Sequence, residues 1–128
     1  MKSYKIGELA RTVNLKIDTI RYYEKIELIP APERQDNEYR IYSEKYVEIL
    51  EFIKLCKNNG FRLKEIQEIM NLLKASNRDD NELKSVIVKK VNELDAKVEE
   101  LLFLKDQLNE IYENCNTKGC TLENFLKE

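Results

Sequence analysis

The feature that most constrains the fold is a long segment without helix-breaking residues: from Glu82 to about Glu113 the chain contains neither Gly nor Pro. Its apolar residues recur at alternating steps of four and three, with one position skipped at Lys105: Ile87, Val91, Leu94, Val98, Leu101 and Leu108. Such a narrow stripe on a long helix is typical of a coiled-coil seam, which needs a partner helix. The sequence therefore predicts pairing with a second copy, as a homodimer. The alternative is a core helix that folds back onto its own domain.

Two short helices joined by a turn are predicted near the N-terminus. The first has apolar residues at helical spacing: Ile6, Leu9, Ala10 and Val13. After a turn at Val13-Asn14-Leu15, a second apolar face is formed by Ile17, Ile20 and either Tyr23 or Tyr22. This arrangement is the helix-turn-helix pattern.

The next segment predicts a small hairpin, or wing, and a second pair of helices. Pro30, Pro32 and the turn-forming Asp36-Asn37 precede the alternating residues Tyr39 and Ile41. A third helix follows, with Ser43 as N-cap and Asn59-Gly60 as C-cap. Its predicted inward residues are Tyr46, Val47, Leu50, Ile53 and Leu55, and those of the fourth helix are Leu63, Ile66, Ile69, Met70 and Leu73. The predicted division is a head at residues 1–76, a linker and dimerisation helix at 77–113, and a final loop and short helix at 114–128.

Charge and composition narrow the class of protein. Residues 1–65 have 13 Lys/Arg against 11 Asp/Glu, whereas residues 66–128 have 9 against 13. A mildly basic front and an acidic rear fit a DNA-binding head on a separate oligomerising element. No apolar run suits a signal peptide or a membrane span, so we expect a cytoplasmic protein with no membrane partner. The lack of histidine, of a Gly-rich phosphate loop and of an acid–base pair argues against an enzyme.

The second helix carries the candidate groove-reading residues. Thr19, Arg21 and Tyr22 are expected on its outward side, with Ile17 and Ile20 pointing inward. A helix presented in this way fits the major groove, where Arg pairs with guanine edges or phosphates.

Residues of the wing and of the turn between the third and fourth helices are expected to contact the DNA backbone. Tyr39 and Arg40 on the wing, with Lys57 and Lys64 around the turn between the third and fourth helices, would position the protein without reading sequence. For any one of these basic residues alone, the alternative is an ordinary solvated charge.

Two motifs carry a resemblance to a known family. The run I-R-Y-Y-E at residues 20–24 and the run Y-R-x-Y at residues 39–42 resemble those of the MerR family of transcriptional regulators, and the resemblance extends over essentially the whole chain. It implies a mainly α fold, with a winged helix-turn-helix head, a second helix pair and an antiparallel coiled-coil dimer. The DNA-contacting positions that it implies are Lys16, Thr19, Arg21, Tyr22, Tyr39, Arg40 and Lys57. Glu38 departs from the family, which commonly has Gly before the wing Tyr-Arg.

The resemblance also implies a mechanism at promoter DNA. The dimer would bind a promoter whose −35 and −10 elements are too far apart, and bound effector would let it kink and untwist the DNA so that RNA polymerase engages both. The untouched centre of the operator would then be read indirectly, through its deformability.

Two cysteines near the C-terminus are the candidate effector site. In metal-sensing MerR members a cysteine-bearing loop follows the dimerisation helix, and Cys115 and Cys120 in CNTKGCTLENFLKE resemble it. Two thiolates suit Cu(I) or Ag(I), whereas Zn(II) and similar divalent ions want more ligands. Asp80 aligns near the position where divalent sensors carry a further cysteine. It is either a ligand supplied by the partner chain or a charge at a helix N-terminus.

Three other readings of the cysteines stay open. The pair could form a reversible disulfide and sense oxidants or electrophiles, or it could be inert. In a contrasting class of protein, the coiled coil docks partners and the thiols carry metal or exchange disulfides, with no role at DNA. Cys56, on a predicted helix, is expected to be a small buried hydrophobe.

Overall fold

The computed structural model describes residues 2–34, 40–75, 77 and 79–126. Over these residues the chain is mainly helical and falls into two units, Met1–Leu83 and Lys84–Glu128. The first unit contains β1 (Ser3–Tyr4), α1 (Ile6–Val13), α2 (Ile17–Lys25), β2 (Glu33–Arg34), β3 (Arg40–Ser43), α3 (Glu44–Asn58) and α4 (Leu63–Lys74). The long helix α5 (Asp80–Lys118) and the short helix α6 (Leu122–Phe125) complete the chain.

Three helices of the head end in the same left-handed turn. Asn14, Glu27 and Gly60 have φ values of 56°, 61° and 87°, and each turn closes a Schellman pair of hydrogen bonds. At the end of α1, the N–H of Leu15 donates to the carbonyl of Ala10 at 2.9 Å. These turns satisfy carbonyls that the helix ends leave free, and they set where the next element begins. The predicted helix-turn-helix and the Asn59-Gly60 stop are confirmed.

The turn between α1 and α2 is also held from α3. The Lys54 ammonium donates to the carbonyl of Val13 at 2.6 Å. A cation at the carbonyl end of α1 satisfies an unpaired acceptor and interacts favourably with the helix dipole. The position of the second helix is therefore tied to the third.

Most of the predicted inward residues form the core of the head. Completely or nearly completely buried are Leu9, Val13, Ile20, Tyr23, Leu28, Ile29, Tyr42, Leu50, Ile53 and Ile66. Tyr22 and Tyr23 were the two candidates for the apolar face of α2, and Tyr23 is the buried one. Cys56 is buried, as predicted.

Two predicted inward residues are exposed instead. Ile17 is 37% exposed because it is the first residue of α2, at the edge of the buried face. Leu55 is 59% exposed because two residues of helix turn it about 200° away from the buried Ile53; Cys56 takes the inward place.

The wing belongs to a small antiparallel sheet of order β1-β3-β2. β3 pairs with β2 through Glu33↔Ile41 and Arg34↔Arg40, and with β1 through Ser3↔Ser43 and Tyr4↔Tyr42. Strand β1 was not predicted, because two residues are too few to show an alternating pattern. The predicted turn at Asp36-Asn37 lies outside the described residues.

Helix α5 is longer than predicted. It extends from Asp80 to Lys118, rather than from Glu82 to about Glu113, and ends where Gly119 adopts a φ of +92°. The predicted seam is exposed along it, from 42% at Leu94 to 67% at Leu108. None of the helices among the described residues is long and apolar enough to cross a membrane.

Substituting Asn14 tests the turn that sets the angle of the helix-turn-helix. We expect Asn14→Val to lower the free energy of unfolding by about 1–2 kcal/mol, because a β-branched residue resists the left-handed conformation. Asn14→Gly should keep stability to within about 0.5 kcal/mol. Chemical denaturation of the three proteins at one concentration measures this. Equal stability of Asn14→Val and the parent would show that the turn tolerates another conformation.

Candidate nucleic-acid interface and thiol pair

Helix α2 presents its polar residues outward because its opposite side is buried. Ile20 and Tyr23 anchor it in the core, at 0% and 3% exposure. Arg21 follows Ile20, Tyr22 precedes Tyr23, and both lie on the outward side of α2. Arg21 is exposed, and Tyr22 is 50% exposed. Thr19 is half-buried. The predicted outward direction of Arg21 and Tyr22 is therefore what the structure shows.

The wing strand is joined to α2 by a buried carboxylate that sequence reasoning missed. The Glu24 side chain is 7% exposed. Its two oxygens accept hydrogen bonds from Arg40 Nη1, at 3.2 and 3.1 Å, and from the Tyr42 hydroxyl, also at 3.2 and 3.1 Å. The signal was present in the motifs, because Glu24 ends the I-R-Y-Y-E run and Arg40 and Tyr42 belong to Y-R-x-Y. The two motifs are thus bonded to each other.

The surroundings of Tyr42 favour its neutral form. Burial first, and then the negative charge and hydrogen bond of Glu24, raise the pKa of the Tyr42 hydroxyl to about 12, against a smaller lowering by Arg40. The hydroxyl therefore keeps its proton well above neutral pH and stays available as a donor to Glu24.

A groove of about 540 Å³ separates α2 from the wing. Its lining residues are Arg21, Glu24, Lys25, Ala31, Pro32 and Arg40. Three cations and one carboxylate give this surface a net positive charge, as the backbone of a nucleic acid requires. The structure thereby brings together two predicted site residues, Arg21 and Arg40, from separate segments of the chain.

The other predicted DNA-contacting residues lie away from that lining. Lys16 is exposed at the N-cap of α2, and Lys57 is exposed in the last turn of α3. Lys64 is exposed near the start of α4. Tyr39 and Glu38 lie outside the described residues. The roles of all these residues at DNA stay predictions.

The predicted cysteine loop is shorter than expected. Cys115, predicted to lie in it, is in the last turns of α5 and half-buried, whereas Cys120 is exposed between α5 and α6. Helix α5 continues past Cys115 because no Gly or Pro occurs before Gly119. The two sulfur atoms are joined as a disulfide, and the Cα atoms are 4.2 Å apart.

Asn124 holds the backbone between the two cysteines. Its side-chain amide donates to the carbonyls of Lys118 and Gly119, at 3.0 and 2.8 Å. Its backbone N–H donates to the hydroxyl of Thr121 at 3.2 Å, which caps α6. These bonds satisfy carbonyls at the end of α5 and fix where Cys120 stands relative to Cys115.

In the described part of a single chain, further metal ligands do not gather around the thiol pair. Among the residues that the structure describes, no group of three or more His, Cys, Asp or Glu is placed to hold an ion. Asp80 is the first residue of α5, at the opposite end of the helix from Cys115. Burial raises the pKa of the third thiol, Cys56, and so suppresses its reactive thiolate.

Comparison with known proteins identifies the family. Residues 4–73 match the family described as "MerR HTH family regulatory protein", and residues 47–111 match "MerR, DNA binding". The chain belongs to the MerR family. It is a DNA-binding transcriptional regulator and not an enzyme, as the sequence predicts, and this argues against a thiol or metal carrier without a role at DNA.

Individual relatives agree with this assignment. The chain is 38% identical, over 85% of its length and 81% of the relative's, to a "HTH-type transcriptional regulator ZntR homolog" of Haemophilus influenzae. Its structure is similar to that of the regulator PbrR691 of Ralstonia metallidurans in complex with lead(II), with 28% identity, a TM-score of 0.77 and coverage of 87% and 86%. It is also similar to MerR of Bacillus megaterium in complex with mercury(II), with 27% identity, a TM-score of 0.74 and 96% coverage of both chains.

Replacing Arg21 tests the outward face of α2. We expect Arg21→Ala to weaken binding to selected duplex DNA about 5- to 150-fold without unfolding the protein, because a bidentate contact to guanine is worth about 1–3 kcal/mol. Fluorescence anisotropy at one salt concentration measures the affinity. Lys89→Ala, which removes an equal charge from an exposed position of α5, is the matched control. Retained affinity in Arg21→Ala would contradict the assignment of α2 as the recognition helix.

Proposed function

We propose that this MerR-family regulator acts as a homodimer that activates a promoter, together with RNA polymerase, when a soft metal ion binds Cys115 and Cys120. The observation that carries the proposal is the pair of adjacent thiols at the end of the long helix. Similar structures hold lead(II) and mercury(II), and both ions prefer thiolate ligands.

Recognition of DNA rests on the groove between α2 and the wing. Arg21 on α2 enters the major groove, and Arg40 holds the adjacent phosphates. With two heads on one dimer, the operator is an inverted repeat. Its centre is distorted rather than contacted, so sequence-dependent deformability contributes to specificity.

Dimerisation rests on the exposed seam of α5. The apolar positions are Ile87, Val91, Leu94, Val98, Leu101 and Leu108, and each is at least 42% exposed in the single chain. A row of this length on one helix is a large apolar surface for a monomer to leave in water. A second α5, running antiparallel, buries both rows at once.

A charge in the seam tests the dimer. We expect Leu94→Glu to raise the dimer dissociation constant more than a hundredfold, because about 1.5–3 kcal/mol of burial is lost from each of the two chains. Sedimentation equilibrium measures the change. The matched control is Phe103→Glu, since Phe103 is also exposed but lies on the opposite side of α5. Equal effects of the two substitutions, or a monomeric parent protein, would refute the assignment of this stripe as the dimer interface.

Metal binding rests on the chemistry of the two sulfur donors. Reduced Cys115 and Cys120 are close enough to hold one ion, and two thiolates complete the coordination of Cu(I) or Ag(I). A divalent ion needs additional ligands, for which the second chain's Asp80 is the candidate. A bound ion would supply positive charge at the end of α5. The residues around it, Asn124 and Thr121, hold the backbone.

Substituting each cysteine tests the effector site. We expect Cys115→Ser and Cys120→Ser each to lower metal affinity at least a hundredfold and to remove transcriptional induction, while binding to DNA stays within twofold of the parent. Titration of the reduced protein with Cu(I) and with Zn(II) measures the affinity. Cys56→Ala, at the buried third cysteine, is the control. Induction that survives in both serine variants would place the sensor elsewhere.

A second candidate, oxidant sensing, is favoured by the bonded state of the two sulfurs. Two thiols become one disulfide by losing two protons and two electrons to an oxidant such as a peroxide. Induction by a peroxide in the presence of a chelator would support this candidate. Induction by the metal under anaerobic, reducing conditions would support the first.

A further inference from the structure

We propose that Glu24 is a positioning residue for the DNA interface: it holds the Arg40 guanidinium in the groove between α2 and the wing, so that the wing grips a phosphate in fixed register with Arg21. The inference rests on the proposed mode of DNA binding. Glu24 is not one of the predicted DNA-contacting residues, because a carboxylate is repelled by phosphates. The proposed role of Glu24 is to hold Arg40.

The contact is asymmetric in a way that suits positioning. The Glu24 side chain is 7% exposed and that of Arg40 is 39% exposed, so the acid is fixed inside the head while the guanidinium faces the groove. Arg40 Nη1 bonds both carboxylate oxygens of Glu24. The Nε–H and the Nη2 hydrogens belong to the same rigid planar fork, which suits two oxygens of one phosphate.

Glu24 is itself held in place by a second donor. The Tyr42 hydroxyl bonds both of its oxygens, and the Tyr42 ring is completely buried. That ring packs edge-on against Tyr46, with centroids 5.1 Å apart, and the Tyr46 hydroxyl donates to the carbonyl of Pro30 at 2.9 Å. The carboxylate is thus connected to β3, α3 and the segment after α2, and cannot move without breaking several contacts.

The charges of the groove explain why an acid is used there. Arg21, Lys25 and Arg40 line it together, and their mutual repulsion favours conformations in which Arg40 turns away. Glu24 offsets that repulsion at Arg40, the cation of β3 that lines the groove. A buried carboxylate without a partner is costly, so the pair also resists separation when DNA arrives.

A double-mutant cycle in DNA binding tests the proposal. The probe is the duplex that the parent protein selects from a random-sequence library. We expect Glu24→Gln to weaken binding to it about tenfold, and Arg40→Gln to weaken it more. We expect Glu24→Gln to add less than twofold in the Arg40→Gln background, since residues that act through one contact are not additive. Each single substitution should also reduce the slope of log affinity against log salt by about one per lost phosphate contact.

The controls separate positioning from folding and from bulk charge. Glu27→Gln removes the same charge from an exposed residue three positions later and should leave affinity within twofold. If Glu24→Gln does not fold, Tyr42→Phe keeps the buried ring, removes the hydroxyl bond to Glu24, and should show the same non-additivity with Arg40→Gln at a smaller magnitude.

Two kinds of result would contradict two different claims. An equal loss from Glu24→Gln in the parent and in the Arg40→Gln background, an unchanged salt slope, or affinity that stays the same or rises would each overturn the role of Glu24. Failure of the parent protein to select any duplex would instead refute the proposed mode of DNA recognition, and this inference with it.

Discussion

The long helix α5 has an apolar side that a single chain leaves in water, and much else about this protein follows from that constraint. The unit from Met1 to Leu83 buries its core with residues of its own chain. The seam needs a partner helix, because burial of such side chains is worth about 1.5–3 kcal/mol each. In the proposed dimer, association falls on α5, and the length of this helix sets the separation of the two heads. Such an arrangement suits a regulator that matches the spacing of two half-sites.

Within the head, one set of contacts decides how accurately the DNA-facing groups are presented. Burial of Ile20 and Tyr23 fixes the rotation of α2 about its axis, and the Lys54 ammonium fixes its start through Val13. Among the described residues of the wing, Arg40 and Tyr42 of β3 are bonded to α2 through Glu24. An interface that requires Arg21 and Arg40 to meet one duplex simultaneously benefits from such a link, because fewer side chains then lose freedom on binding.

The helices and many of the buried residues could be predicted from the sequence, because the spacing of apolar residues indicates which side of an element is buried. The helices, the Asn59-Gly60 stop and the burial of Cys56 were predicted, since each depends on local pattern or turn chemistry. Errors arose where a pattern is locally ambiguous. Leu55 and Cys56 are adjacent apolar residues, and only the packing of α3 decides which one faces the core. The pairing of Glu24 with Arg40 was not predicted because it joins residues 16 positions apart through tertiary structure, and no period encodes such a contact.

The thiol pair illustrates how local chemistry can prepare a site before any effector binds. At the end of α5, Asn124 donates to the carbonyls of Lys118 and Gly119, and the Thr121 hydroxyl caps the start of α6. The chain between Cys115 and Cys120 is therefore ordered by bonds that do not involve sulfur. Under the proposed function, an ion that bridges the thiols, or an oxidant that joins them, would need little further ordering of this turn. A change in the distance between the sulfurs would then act on the end of α5 and on α6, which this turn connects.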